Sequence, residues 1–409
     1  MLRALVPASL ALAGVLATSV PAQASPASVS ADLRTRLHAA IAKAGATTAG
    51  VAVDVDGLGA VFRQSASSAV LPASTQKLYT TFVALTVLGE AGRMRTQLRS
   101  TATQRGPYLE GALYLVAAAD PYFTAAQLDS LAAQIRAKGI RRINNGLVVD
   151  DLRHDAVRRA PGWKTAFVPE DSGPLSALAL DVNGWRRDNA YLSDPGIPTL
   201  DRLRSALNKR GVSVPGGLRR GAVPSSATVL ASHVSASVAD LVRRTDKDSD
   251  NFAAEVLLKE LGKVVRGTGS TAAGAQAVRD VLAPLGVSVG TIADGSGLSS
   301  RDRQTAAGEL SLLKAAEASP VYAALRRALP IACKDGTLEK RLCGTAAAGK
   351  AIGKTGTLPG VNSLTGWTTT ADGHLVRFSF LLSGVSSVGR ARDAIDACVA
   401  LLSAARVDA

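Results

Sequence analysis

The sequence predicts an α/β fold: a domain with a helix near each end of the chain, interrupted by an inserted segment of mixed α and β structure. Helical periodicity in residues 32–45 and 389–406 predicts the two outer helices. Strand-like runs in residues 49–64 and 349–384 lie between them, far apart in the sequence. The chain has 409 residues, 47% of them hydrophobic, so it contains ample apolar material for a folded core.

Residues typical of turns lie between the predicted strands at both ends of the chain. Residues 49–64 predict a hairpin around Asp56 and Gly57, and residues 371–373 connect the last two of three C-terminal strands as a second hairpin. A long apolar helix follows the first hairpin and ends at Gly89.

From about Leu98 onward the pattern of strand-like and helix-like runs changes, and it predicts a β-β-α-β unit that packs as a separate layer. Residues 158–224 are rich in Pro, Gly and Arg, and we expect them to be irregular. The predicted strands of the unit are residues 98–104, 111–118 and 143–151, its helix is residues 123–139, and helical patterns resume at residues 234–246 and 251–262.

The chain is predicted to begin with a cleaved signal peptide. Arg3, an apolar stretch and the A-x-A pattern at residues 22–24 favour cleavage after Ala24, which leaves an exported chain of 409 − 24 = 385 residues. The alternative is an uncleaved membrane anchor, against which Pro7 and Pro21 argue. The predicted divisions are a signal peptide at 1–24, the first part of the main domain at 25–93, inserted subdomains at 94–235, and the second part of the main domain at 236–409.

The chain is basic, with 47 Lys and Arg against 33 Asp and Glu and a formal charge of +14. Aromatic residues make up only 4% and do not alternate with basic runs, so nucleic acid is not a predicted partner. Peripheral association with an anionic envelope is the favoured alternative to a merely solvated surface. The four histidines are scattered and no C-x-x-C or H-E-x-x-H spacing occurs, so no metal and no cofactor are predicted.

Three cysteines, Cys333, Cys343 and Cys398, allow one disulfide outside the cytoplasm. The nine residues between Cys333 and Cys343 can fold back as a turn, so this pair is the expected disulfide. The spacing alone does not fix the connectivity.

Ser74 and Lys77 form an S-x-x-K tetrapeptide in front of an apolar run. As an ordinary helix start, the serine is a cap and the lysine is solvated. As a catalytic pair, the helix N-terminus points its dipole at the serine oxygen, and the lysine, one turn away, accepts its proton. That role requires a lysine pKa well below about 10.4, through burial or a nearby cation.

The tetrapeptide alone is weak evidence, since Ser311 and Lys314 repeat its form inside a helical pattern. Two further motifs change the balance: Ser249-Asp250-Asn251 before an apolar helix, and Lys354-Thr355-Gly356 on a predicted strand. Each also has an ordinary interpretation: the Ser-Asp-Asn stretch as a helix N-cap, and the Lys-Thr-Gly stretch as a polar strand end. Together and in this order, however, S-x-x-K, S-D-N and K-T-G are the signature set of penicillin-interacting serine enzymes.

The chain resembles the D-alanyl-D-alanine carboxypeptidases of the low-molecular-mass class C penicillin-binding type, from about residue 49 to residue 384. The resemblance implies a serine β-lactamase-like penicillin-binding fold, with an antiparallel sheet flanked by helices and inserted α+β subdomains. Further similar stretches are D-G-S-G-L-S at 294–299, D-G-T-L-E-K-R at 335–341, D-P at 120–121, P-G-W at 161–163 and residues 174–185.

The resemblance implies that Ser74 attacks the carbonyl between two terminal D-alanines of a peptidoglycan peptide and that Lys77 accepts its proton. The backbone N–H groups of Ser74 and Thr357 are expected to form an oxyanion hole. β-Lactam antibiotics are expected to acylate Ser74 as inhibitors. Endopeptidase activity is expected beside carboxypeptidase activity.

The remaining motif residues are expected to bind the substrate and to relay a proton to the leaving group. Ser249 passes a proton to the departing D-alanine, and Asn251 holds the substrate amide. Lys354 and Thr355 favour the terminal carboxylate, and Lys354 is expected to help lower the pKa of Lys77.

Four alternatives remain weaker. A class A β-lactamase uses a glutamate-activated water, but no E-x-x-L-N segment is obvious and 175 residues separate Ser74 from Ser249 (249 − 74). A Ser-His-Asp hydrolase lacks the G-x-S-x-G motif and a suitable histidine. A nucleotide site at residues 267–270 lacks its third glycine. A cell-wall scaffold without chemistry is disfavoured by the intact motifs.

Overall fold

The structure is a computed structural model that describes residues 26–184 and 194–407. The predicted signal peptide at residues 1–24 and Trp185, at the end of one family-like stretch, lie outside the described residues.

Twelve α-helical segments are described. They are α1 Pro26–Ala42, α2 Lys77–Leu88, α3 Ala125–Ala137, α4 Phe167–Glu170, α5 Asp181–Gly184, α6 Gly196–Lys209, α7 Val238–Lys247, α8 Asn251–Arg266, α9 Thr271–Leu282, α10 Ala306–Glu317, α11 Tyr322–Ala328 and α12 Val388–Ala404.

Thirteen strands are described. They are β1 Thr48–Val55, β2 Gly59–Gln64, β3 Arg95–Ser100, β4 Gln104–Arg105, β5 Tyr108–Leu109, β6 Leu113–Val116, β7 Arg142–Ile143, β8 Leu147–Asp150, β9 Leu218–Arg220, β10 Thr228–Val234, β11 Ile352–Leu358, β12 Val361–Thr369 and β13 Leu375–Ser383.

The main sheet joins the two ends of the chain. Its order is β11-β12-β13-β1-β2, and every pair is antiparallel. The predicted hairpins β1–β2 and β12–β13 are confirmed, and the outer helices form close to where the periodicity placed them. The antiparallel sheet flanked by helices agrees with the fold class that the sequence indicated.

The main sheet is covered on both faces. On one face α1 and α12 pack over Phe378, Phe380 and Val53, which are at most 1% exposed. On the other face Trp367 and Leu381 belong to a core that includes α2 and α7 to α11. Because helices cover both faces of the sheet, β12 is an almost continuously buried strand, although most of its residues are polar.

A second sheet of order β10-β3-β6-β8-β9 lies within residues 95–234, with α3 and α6 in its own apolar core. Its strands β6, β8 and β9 run parallel to one another. A small three-stranded sheet, β4-β5-β7, accompanies it. This region is of mixed α and β structure, while the domain boundaries themselves stay predictions.

The expectation that residues 158–224 are irregular is wrong for α6. Leu200, Leu203 and Leu207 are buried at helical spacing in this segment. Pro198 lies in the first turn, where a missing N–H costs nothing because it would have no partner in the helix. The high Pro and Gly content of the region concealed a helix whose apolar face is regular.

Cys333 and Cys343 are joined by a disulfide in the structure, and Cys398 is a buried free thiol on α12. None of the helices within residues 26–184 and 194–407 has the length and hydropathy required to cross a membrane.

Candidate active site

Ser74 and Lys77 lie at the start of α2. Ala73–Gln76 form a 3₁₀ turn, so the α-helix proper begins at Lys77 rather than at Ser74. The Lys77 ammonium donates a hydrogen bond to the Ser74 hydroxyl oxygen over 3.0 Å. The structure therefore brings the serine and its candidate base into direct contact.

Lys77 is fully buried, which is unusual for a lysine. Besides Ser74, its ammonium donates to Asn251 Oδ1 and to the carbonyl oxygen of Ser296, each over 2.7 Å. All three acceptors are uncharged. Burial lowers the pKa of Lys77 to about 8, against the opposing charges of the carboxylates Asp294, Asp246, Asp250 and Glu255.

The Ser-Asp-Asn stretch connects α7 to α8. Ser249 has a φ of 57°, in the left-handed region that few non-glycine residues adopt. Asp250 is the N-cap of α8 and accepts a hydrogen bond from Ala253 N over 2.9 Å. Asn251 begins the helix and also donates to the carbonyl oxygen of Asp171 over 3.0 Å. The cap therefore fixes the positions of the residues on either side of it.

The Lys-Thr-Gly stretch is on β11. Lys354 is fully buried, and its ammonium donates to Ser249 Oγ over 2.9 Å and to the Thr355 carbonyl oxygen over 3.0 Å. The Thr355 hydroxyl lies 2.7 Å from the hydroxyl of Thr337, a residue of the D-G-T-L stretch. Thr357 is exposed, at the end of the strand. The structure thus forms a second serine–lysine pair, Ser249 with Lys354.

Gly356 allows β11 to approach the Ser74 turn. A Cβ atom at this position would lie 2.1 Å from Ser363 Oγ and 2.9 Å from the Ser74 backbone nitrogen. A side chain there would displace the strand from the turn. The glycine of Lys-Thr-Gly is therefore required by packing, and it brings the strand that carries Lys354 and Thr357 next to Ser74.

The sequence analysis predicts that Lys354 helps to lower the pKa of Lys77. In the structure burial lowers that pKa and the charged groups that act on it are carboxylates, which raise it, so the contribution of Lys354 stays a prediction. Burial first, and then repulsion by Lys77, also lower the pKa of Lys354 itself.

The D-G-S-G-L-S loop contributes groups that sequence reasoning had not assigned to the site. Glu255 Oε1 accepts hydrogen bonds from the backbone N–H groups of Gly295 and Ser296, each over 2.8 Å. Asp294 accepts from Gly297 N over 2.7 Å and from the Trp163 indole over 2.7 Å. These bonds hold the Ser296 carbonyl against Lys77. Glu255 follows Asn251 by four residues, a helical spacing that could have drawn attention to it.

Gly297 completes the fit between this loop and the 3₁₀ turn. It has a φ of 85°, and a Cβ atom would lie 1.9 Å from the Ala73 carbonyl oxygen. Only glycine fits such a close backbone approach.

A cavity of about 290 Å³ opens beside Ser249 and Asn251. Its other lining residues are Glu170, Asp171, Ser172, Val182, Asp248, Asp250 and Phe252. The cavity is thus lined by Ser249, the serine of the second serine–lysine pair, and by Asn251, which accepts a hydrogen bond from Lys77. Within the described ranges, no group of three or more His, Cys, Asp or Glu side chains is arranged to hold a metal ion.

The second S-x-x-K tetrapeptide has no place in this site. Ser311 lies inside α10 and donates to the Gly308 carbonyl oxygen over 2.7 Å. Lys314 has a side chain that is 55% exposed and pairs with Asp54 at 2.5 Å. The interpretation of this tetrapeptide as ordinary helix is confirmed.

A serine in contact with a buried lysine, on a helix packed against an antiparallel sheet, defines a serine peptidase with the penicillin-binding fold. The chain belongs to the D-Ala-D-Ala carboxypeptidase 3 (S13) family, whose model matches residues 33–189 and 189–405.

Several relatives cover most of the chain. A D-alanyl-D-alanine carboxypeptidase of Actinomadura sp. (strain R39) is 30% identical over 430 residues, covering 84% of this chain and 78% of that protein. Carboxypeptidase DacB of Mycolicibacterium smegmatis is 31% identical over 415 residues, covering 93% and 88%. The crystal structure of penicillin binding protein 4 (dacB) from Haemophilus influenzae matches with a TM-score of 0.80 at 25% identity, covering 86% of this chain and 94% of that chain.

Two buried glutamates on α8 should respond to pH in opposite ways. Burial and the nearby Asp294 charge raise the pKa of Glu255 above its usual value. Burial alone would raise the pKa of Glu260, but hydrogen bonds from His154 and Arg153 outweigh it and lower that pKa. The stability that protonated Glu255 provides is complete below its unfolded pKa and is lost as pH rises through its folded pKa.

We therefore expect the stability of Glu255→Gln, relative to the wild type, to rise by more than about 1 kcal/mol between pH 5 and pH 8. The control Glu260→Gln should show no such gain, because its carboxylate is already ionised in both states over that range. Urea unfolding at several pH values measures both. A flat difference for Glu255→Gln would show that Glu255 is ionised in the folded protein.

Proposed function

We propose that this chain is an exported serine D-alanyl-D-alanine carboxypeptidase, with additional D,D-endopeptidase activity, that cleaves peptidoglycan stem peptides through an acyl-enzyme on Ser74. The observation that carries the proposal is the 3.0 Å hydrogen bond from Lys77 Nζ to Ser74 Oγ. A buried lysine with a pKa near 8 is neutral in a useful fraction of molecules at neutral pH and can accept the serine proton.

In the acylation step, Ser74 Oγ attacks the carbonyl carbon between the two terminal D-alanines, and its proton goes to Lys77. The negative charge that develops on the carbonyl oxygen is stabilised by the backbone N–H groups of Ser74 and Thr357. The close packing of Gly356 on the Ser74 turn supports this assignment, because it brings Thr357, the next residue, near the serine.

Breakdown of the tetrahedral intermediate requires a proton for the departing D-alanine nitrogen. Ser249 relays to it the proton that Lys77 received: its hydroxyl gives its own proton to the nitrogen and takes one back, assisted by the Lys354 ammonium that donates a hydrogen bond to it. Lys354 and the Thr355 hydroxyl favour the terminal carboxylate of the substrate, and Asn251 positions the substrate amide. Water then hydrolyses the ester on Ser74 and regenerates the free enzyme.

β-Lactams are proposed inhibitors, since they present a strained amide to the same serine. Penicillin binding protein 4 of Haemophilus influenzae, to which this chain is similar, has been crystallised in complex with a β-lactam. Extracytoplasmic action in the cell-wall space, with peripheral association with the envelope, follows from the proposed substrate and from the net charge of +14.

Replacing Ser74 by alanine should abolish release of D-alanine from a peptidoglycan pentapeptide, because the acyl-enzyme cannot form. Hydrolysis of a cross-linked muropeptide dimer and labelling by a fluorescent penicillin should disappear with it. The matched control is Ser311→Ala, which removes the serine of the other S-x-x-K tetrapeptide and should leave all three signals unchanged. Amino-acid analysis, chromatography of muropeptides and gel fluorescence provide the measurements.

Other outcomes of the same assays contradict the proposal in different ways. Rapid turnover of the penicillin without D-alanine release would indicate a β-lactamase. The absence of both labelling and D-alanine release in the wild type would indicate a scaffold that keeps the fold. Release of D-alanine by Ser74→Ala would place the nucleophile elsewhere.

The second-order rate constant for acylation by a β-lactam should rise with pH, with a midpoint near pH 8. Neutral Lys77 is the proton acceptor, and its fraction grows as pH rises through its pKa. Well below that pH, the second-order acylation constant should increase about tenfold per pH unit. Stopped-flow measurement of acylation from pH 5.5 to 9 tests this, and a constant rate over that range is the contrary result.

Export should be visible at the N-terminus of the mature protein. Cleavage after Ala24 leaves Ser25 as the first residue. Edman sequencing or intact mass of the protein from the extracytoplasmic fraction provides the measurement, and a chain that keeps residues 1–24 there would argue for an anchor.

A further inference from the structure

Thr337 lies against the site, and the steps above leave it unused. It belongs to the D-G-T-L-E-K-R stretch at 335–341, to which the sequence analysis gives no role. Its hydroxyl oxygen lies 2.7 Å from the hydroxyl oxygen of Thr355, the residue of Lys-Thr-Gly that is proposed to favour the terminal carboxylate. Thr337 is exposed, while Thr355 is only 8% exposed. The contact therefore joins the buried strand of the site to an exposed turn.

The turn that carries Thr337 is fixed by contacts that do not involve the Thr337 side chain. Gly336–Leu338 form a 3₁₀ turn, and the disulfide described above closes the chain around it. Asp335, just before the turn, accepts hydrogen bonds from Lys247 Nζ over 2.6 Å and from the Ile331 backbone N–H over 2.8 Å. Since Lys247 is the last residue of α7, the turn is tied to the helix that leads into the Ser-Asp-Asn stretch.

The segment before the turn is also joined to the start of β11, the strand that carries Lys-Thr-Gly. The Ala332 backbone N–H donates to the Ala351 carbonyl oxygen over 2.9 Å, and the Gly353 N–H donates to the Pro330 carbonyl oxygen over 3.1 Å. Because backbone hydrogen bonds link the turn and the strand, the fold itself sets the short separation of the two threonine hydroxyls.

The direction of the hydrogen bond between the two hydroxyls decides what Thr355 can do. The separation allows either hydroxyl to be the donor. A hydroxyl has one proton to donate, while its lone pairs accept. If Thr355 donated to Thr337, its proton would not be available to a substrate carboxylate. If Thr337 donates, Thr355 keeps its proton for the carboxylate, and the chain of two hydroxyls strengthens that bond.

We propose that Thr337 is a positioning residue that donates its hydroxyl proton to Thr355 Oγ1 and thereby directs the Thr355 proton to the terminal carboxylate of the substrate. This inference rests on the proposed function and adds to it a residue that determines specificity. A hydrogen bond to a charged acceptor is roughly twice as strong as one to a neutral acceptor. Thr337 therefore favours a peptide that ends in a free carboxylate over the same peptide with a neutral end.

The test compares two substrates that differ only in the terminal group, a D-alanyl-D-alanine peptide with a free carboxylate and its carboxamide. In Thr337→Val, which keeps the shape of the side chain and removes the hydroxyl, kcat/KM should fall about five- to tenfold for the carboxylate and about twofold or less for the carboxamide. Thr337→Ser restores the hydroxyl and should restore the wild-type ratio of the two substrates.

The matched control is Thr345→Val, at a threonine of the same segment whose hydroxyl donates to the Leu342 carbonyl oxygen rather than to a residue of the site. It should keep the wild-type ratio. A wild-type ratio in Thr337→Val would overturn the inference while leaving the proposed function intact. Failure of the wild-type enzyme to cleave either peptide would instead remove the proposed function.

A double-variant cycle tests whether Thr337 acts through Thr355, and it needs only the peptide with the free carboxylate. Thr355→Val should lower kcat/KM, and adding Thr337→Val to it should lower kcat/KM by less than about twofold more, because the hydroxyl that Thr337 directs is already gone. If the two single effects multiply in the double variant, Thr337 does not act through Thr355 and the inference is wrong. Urea unfolding of each variant checks its fold, and Thr337→Ala repeats the comparison if valine disturbs the turn.

Discussion

The burial of the Lys77 ammonium is the constraint on which the site depends. An ammonium group excluded from water needs an acceptor for each of its protons, and the three acceptors come from three separate parts of the chain. Ser74 precedes it on its own turn, Asn251 begins α8, and Ser296 belongs to the D-G-S-G-L-S loop. A displacement of any one would leave a proton unsatisfied. The same burial lowers the pKa of the lysine, so one arrangement both fixes the geometry and favours the neutral form that the proposed base requires.

The supporting contacts extend outward from this lysine. Glu255 and Asp294 hold the loop that presents the Ser296 carbonyl, and Trp163 ties that loop to the segment between β8 and β9 of the second sheet. The Asn251 amide similarly reaches the Asp171 carbonyl. Residues between the first and second motifs therefore contribute directly to the walls of the site. The segment inserted between the motifs is part of the environment of the proposed chemistry rather than only an appendage.

Much of the fold could be predicted because its signals are local. The outer helices, the two hairpins and the three C-terminal strands each have their own periodicity and turn residues. The helix α6 was missed because Pro198 and nearby glycines suggested irregular structure, while its apolar face becomes evident only against the second sheet. The strand β10 was also missed, and it forms the edge of that sheet by pairing with β3, more than 100 residues earlier in the chain. Pairing at that separation has no signature in the strand itself.

The sequence by itself determined that the three motifs meet at one site, because their fixed order carries that information, but it did not place Glu255 or the Ser296 carbonyl there. It also separated Ser74 from Ser311, since only the first stands outside a helix interior and has its partner motifs. The tertiary structure decided the electrostatics: which lysine is buried, which oxygens accept from it, and which carboxylates lie close enough to act on its charge. These depend on solvent exclusion by elements far apart in sequence, and a linear pattern does not record exclusion from water.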